Sequence, residues 1–172
     1  MPTDFHFTPD AQQQEQIEVP YFEEARANFA PYYSSTSTIA RAQSEVITEL
    51  ARLGAGGILF VAGRFGERYG YEIRFTYGGA PGVIRVAGLP IAKTETERKI
   101  DQVRLQALLN VRDWLKAQVT HRVFSPGSDP LIQQLLVDER RTLAEFVRET
   151  RALPQPNPPE PPLIEGGEVV DG

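Results

Sequence analysis

Apolar positions change their period several times along this chain, and each change marks an element. Ile39, Ala42, Val46, Leu50 and Leu53 recur at helical spacing behind Ser35-Thr36-Ser37-Thr38, a run of N-cap candidates, and Gly54 closes the helix. Residues 58–62 form a continuous apolar run, which predicts a strand that is central or covered on both faces. Residues 69–77 alternate instead. Tyr69, Tyr71, Ile73, Phe75 and Tyr77 share one face, and Glu72, Arg74 and Thr76 share the other. Residues 83–88 give a third strand. The glycine-bearing connections, 63–68 and 78–82, are too short to hold a crossover helix, so the three strands form an antiparallel meander.

Beyond Leu89-Pro90-Ile91, residues 94–122 read as the longest helix. Glu95 and Glu97 lie at its positive dipole end, and Ile100, Val103, Ala107, Val111 and Leu115 form a stripe that Leu108 and Val119 widen. Ser125-Pro126-Gly127 breaks it. Asp129-Pro130 then reads as an N-cap and first helical position for a short helix through Leu131, Ile132, Leu135 and Leu136. Thr142 and Glu145 have capping-box spacing for a last helix carrying Leu143, Phe146 and Val147. The expected fold is therefore α+β, in the order α-β-β-β-α-α, with helices packed on one face of a small three-stranded antiparallel meander. Three segments follow: an acidic, aromatic-containing arm (1–34), a core domain (35–153) and a Pro-rich acidic tail (154–172) expected to be disordered. The arm's aromatics favour docking on the core or on a partner over full solvation.

Charge divides the same way. The arm holds six acids and one Arg, the core seventeen Lys and Arg against thirteen acids, and the tail four acids with no base, giving a net −5 over 172 residues. A mildly basic core thus lies between acidic arms. The absence of Cys excludes disulfides, thiolate zinc sites and cysteine nucleophiles. His6 and His121 fall in different segments, so neither a metal site nor a cofactor is expected. The amino-terminal residues lack the basic and apolar runs of a secretory signal, and the longest apolar stretch falls well short of the about 20 residues that span a bilayer. A cytoplasmic protein without a membrane contact is expected.

Candidate chemistry gathers on the polar side of the sheet. Arg74 and Arg85 point away from the helices and Arg64 and Arg68 lie in the adjoining turn, so four guanidiniums are candidates to hold phosphates; the plainer reading is cross-strand pairing with Glu72. The aromatic row of residues 69–77 offers a base-stacking platform, but Ile73 in the same row favours a core role. Gly54-Ala55-Gly56-Gly57 precedes a strand, the wrong order for a phosphate-cradling loop. Glu72-Ile73-Arg74, with Glu45 or Glu49 on the first helix, loosely resembles the restriction-endonuclease-like arrangement. It lacks an acid on the preceding strand, and position 74 is Arg where that family usually has Lys. Trp114 on the long helix is a candidate core or interface anchor.

Across residues 35–147 the chain resembles a group of uncharacterised bacterial and phage-associated proteins. The likeness is carried by Leu53-Gly54-Ala55, by Gly88-Leu89-Pro90-Ile91, by the helix containing Gln106-Ala107-Leu108 and Trp114-Leu115-Lys116-Ala117, and by residues 138–146. The last stretch is similar to that group's "PDGRTVxEW" ending, with Asp138 for Pro and Arg140 for Gly. The resemblance implies a phage or mobile-element setting and no assigned activity.

These readings converge on a non-catalytic accessory or adaptor domain. Its basic sheet face would meet nucleic acid or an acidic protein surface, and the acidic tails would modulate access. The alternatives are a scaffold protein that self-associates through the long helix and Trp114, and a degenerate restriction-endonuclease-like nuclease.

Overall fold

The computed structural model describes residues 19–25, 32 and 35–152, so most of the arm and the whole acidic tail lie outside the described residues. Helix α1 (Ile39–Arg52) starts where Thr38 Oγ1 accepts the Arg41 N–H at 3.2 Å. It ends at Gly54, whose φ of 94° suits the residue without a Cβ. Strands β1 (Gly56–Phe65), β2 (Arg68–Tyr77) and β3 (Ala80–Ala87) form one antiparallel sheet in the order β1-β2-β3. The long helix α2 (Glu97–Phe124) follows, capped by Thr96, and α3 (Leu143–Ala152) closes the described chain. The architecture is thus α+β in the order α-β-β-β-α-α.

Strand limits are wider than the sequence suggests. Both hairpins turn on two residues, Gly66-Glu67 and Gly78-Gly79, all three glycines having positive φ. Arg64 and Arg68 are consequently strand residues that flank the first turn. The apolar run 58–62 also departs from expectation, because β1 is an edge strand paired with β2 alone among the described residues. Its Leu59 is 55% exposed and its Val61 37%. An unbroken apolar run carries no alternation from which a solvated face can be read.

One face of the sheet is the core. Ile73, Phe75, Tyr71 and Ile84 pack with Val46 and Leu50 of α1 and with Leu108 and Leu115 of α2. The α2 stripe is broader than predicted: Leu105, Gln106 and Leu109 are buried too, because α1 packs along the helix as well as the sheet. Gly88 is required at the β3 exit, where an added Cβ would lie 2.0 Å from the Val103 carbonyl oxygen. A second, smaller cluster joins Phe22 of the arm to Tyr69 and Val103. Glu23 anchors that segment, accepting from Lys99 Nζ at 2.9 Å and from the Ala92 and Lys93 N–H groups.

After α2 the chain does not form the expected short helix. Ile132–Gln134 makes one 3-10 turn, and the chain then runs extended beside β3, with a bridge from Leu135 to Gly82 and the Leu136 N–H donating to the Pro81 carbonyl at 2.9 Å. Leu131 is wholly buried. The spacing of Leu131, Ile132, Leu135 and Leu136 suits a helix, but satisfying part of the open β3 edge decides the backbone. The capping box at α3 forms as read, with the Glu145 N–H donating to Thr142 Oγ1 and the Thr142 N–H to Glu145 Oε2.

Candidate ligand-binding face of the sheet

The strand register assigns every candidate to a face, since directly opposed residues project to the same side. On the outer face, Leu59, Arg74 and Val83 form one row, and Val61, Glu72 and Arg85 the next. On the helix-covered face, Arg64 stands opposite Tyr69, and Ala62 opposite Tyr71. The four arginines are therefore divided. Arg74 and Arg85 share the outer face, while Arg64 projects to the other. Arg68 is spent on the end of β3, its Nε and Nη2 donating to the Gly88 and Ala87 carbonyls at 2.8 and 3.2 Å.

Glu72 is the hub of the outer face. Arg74 Nε reaches its Oε1 at 2.7 Å and Arg85 Nε its Oε2 at 3.2 Å, and these guanidiniums, Arg74 foremost, hold its carboxyl below the ordinary carboxylate range. Arg85 also binds Glu145 and the Arg140 carbonyl, so its fork is fully engaged. Arg74 has one nitrogen in that pairing and a side chain 58% exposed.

A groove of 580 Å³ opens beside this hub, with the sheet as floor and residues 136–140 as one wall. Arg140, not singled out from sequence, lines it. Its backbone N–H donates to Asp138 Oδ1, and its guanidinium makes no hydrogen bond or ion pair among the described residues. Asp138 accepts the Arg140 and Arg141 N–H groups, then the Arg141 side chain, and its carboxyl is held down at about 2. The signal in the sequence is Asp138 itself, a short acid able to fold the next residues into a turn. Leu59, Pro81 and Leu136 add apolar surface to the groove.

The remaining candidates take structural places. Tyr69, Tyr71 and Phe75 are buried, so no aromatic of β2 presents a ring to the outer face. Trp114 is half-buried against the main core. Glu45 pairs with Arg41 and Arg112, and Glu49 with Arg52, both on α1 across the sheet from Glu72. Among the described residues no group of three or more His, Asp or Glu is placed to hold a metal ion, and no helix is long and apolar enough to cross a membrane. Tyr32 donates to Asp113, and burial, with that carboxylate second, pushes its phenol up to about 12.

No protein-family profile, curated protein or solved structure matches this chain.

Proposed function

We propose that this chain is a non-catalytic adaptor domain that holds an extended, acidic and apolar segment of a partner protein on the outer face of its sheet. The observation that carries this reading is the placement of exposed Leu59 directly opposite Arg74, on the edge strand and at the mouth of the groove that Arg140 lines. Apolar side chains of the segment meet Leu59 and Val61, and its carboxylates meet the uncommitted nitrogens of Arg74 and Arg140. The edge of β1, unpaired among the described residues, adds main-chain donors and acceptors for a strand laid alongside. A protein segment is favoured over nucleic acid because no aromatic of β2 faces the groove side of the sheet for a base to stack on, and Arg74 and Arg140 share the groove lining with Glu72 and Glu139, whose charge opposes a run of phosphates.

The chain's own residues 154–172 have the matching chemistry, with four acids, no base, and apolar Leu163, Ile164, Val169 and Val170. Tethered beyond α3, they compete with a partner at high effective concentration. The test is fluorescence anisotropy with a labelled peptide of residues 160–172 against the full chain and a chain ending at residue 153, beside single- and double-stranded DNA and RNA. The shortened chain binds the peptide more tightly than the full chain, with an affinity that falls as salt rises and drops at least about tenfold in Arg74→Glu. Equal binding by Arg74→Glu, or tighter binding of nucleic acid than of peptide, overturns the proposal.

A further inference from the structure

A second charged cluster lies on the other side of the sheet, at the end where β1, β2 and the start of α2 meet. Arg64 of β1 places its guanidinium carbon 4.6 Å from the Tyr69 ring centre, and Arg104 of α2 places its own 5.6 Å from the same centre. The acid beside Arg64 is Glu95. Its Oε2 is engaged by the Tyr69 hydroxyl, which donates at 2.5 Å, and its Oε1 stands 3.7 Å from Arg64 Nη2, beyond hydrogen-bond reach.

Arg104 has no hydrogen-bond acceptor among the described residues, and its Nε is shut off from solvent without a partner. The Tyr69 ring attracts a cation through its negative face but supplies no lone pair to an N–H in the plane of the fork. Two guanidiniums gather at one ring, Arg64 in an ion pair with Glu95 and Arg104 without a hydrogen-bond acceptor, which leaves a surplus of donors. Buried donors in folded proteins are paired in the great majority of cases, so this surplus calls for an acceptor that the described residues do not contain. Arg64 and Glu95 are 50% and 40% exposed, which keeps the cluster open to a small solute.

From this arrangement we infer that Arg64 and Arg104 form a binding site for a small oxyanion whose oxygens accept from their unpaired N–H groups. Phosphate and carboxylate both have that chemistry. The site is independent of the outer-face groove, because Arg64 projects to the opposite side of the sheet from Arg74.

Titration calorimetry on the full chain, with inorganic phosphate in one arm and succinate in another, at ionic strength matched with sodium chloride, tests the site and separates the two sources. The expected result is saturable binding of one or both anions. The affinity falls at least about tenfold in Arg104→Gln, falls less in Arg104→Lys, which keeps the charge and loses the fork, and is unchanged in Arg74→Gln. Arg64→Gln, at a half-exposed position, reads the same site should Arg104→Gln fail to fold, and it too weakens binding. No heat beyond the chloride control for either anion, or an affinity untouched by Arg64→Gln, overturns the inference.

Discussion

Arg85 grips Glu145 through a single nitrogen, with Nη1 2.7 and 2.8 Å from the two carboxylate oxygens, and so ties β3 to α3. The same guanidinium holds Glu72 and the Arg140 carbonyl, while Glu145 also closes the capping box with Thr142. Replacing Arg85 with Leu leaves two carboxylates of a partly buried cluster without their shared cation. The expected loss is about 2 kcal/mol in denaturant unfolding, within the range for hydrogen bonds to charged groups. Amide exchange should accelerate in α3 more than in α2. A loss below about 0.5 kcal/mol, the size of an ordinary surface change, would show that α3 is held by other contacts.

Leu59→Asp separates binding from folding. The side chain is more than half exposed on the outer face, so stability should stay within about 0.5 kcal/mol of the parent. Peptide binding should nevertheless fall at least about tenfold, since the change removes an apolar contact and sets a carboxylate beside the acidic ligand. Arg140→Glu should do the same from the opposite wall. Binding retained by both variants would place the ligand elsewhere.

The docked arm segment should release in acid. Glu23 is held at about 2 from the ordinary 4.5, first by Lys99 and then by the Ala92 N–H. A carboxyl lowered by folding stabilises the folded state above its unfolded value, and that contribution is lost as pH falls through the folded one. The stability difference between the parent and Glu23→Gln should therefore be constant from about pH 8 to 5, shrink below about 4.5 and vanish near pH 2. A difference that persists unchanged to pH 2 would deny Glu23 its ionised role.

Gly88 and Gly63 form a matched pair. An added Cβ at Gly88 meets the Val103 carbonyl at 2.0 Å, whereas at Gly63 nothing lies within 4 Å. Gly88→Ala should force β3 from α2 and lower the melting temperature by about 10 °C, as about 3 kcal/mol of overpacking implies for a domain of this size. Gly63→Ala should leave it within about 2 °C. Equal melting temperatures would mean that the β3 exit yields.

The parts legible in the sequence were those in which a local signal and the global packing agree. Thr142 and Glu145 announce a cap, Gly54 a helix end, and the alternation from Tyr69 to Tyr77 a half-buried strand, and each forms as read. The run 58–62 was not legible, because exposure of Leu59 and Val61 depends on how many strands the sheet has and what covers it. Leu135 and Leu136 keep helical spacing yet adopt an extended path, since the open edge of β3 competes for their backbone. The division of the arginines was equally hidden: a turn of two residues instead of six moves Arg64 into the ladder, and strand parity then fixes its side.

The two edges of the sheet are unequal among the described residues, for Leu135 and Leu136 already occupy the Pro81–Gly82 end of β3 while β1 has no outer neighbour. That asymmetry sets a preference. A strand laid against β1 meets a full-length edge, whereas one laid against β3 meets an edge already shortened at Pro81–Gly82. Whether the added strand belongs to another protein or to a twin, β1 is the side that receives it, and the shortened edge of β3 is the poorer ground for the repetition from which fibres are made.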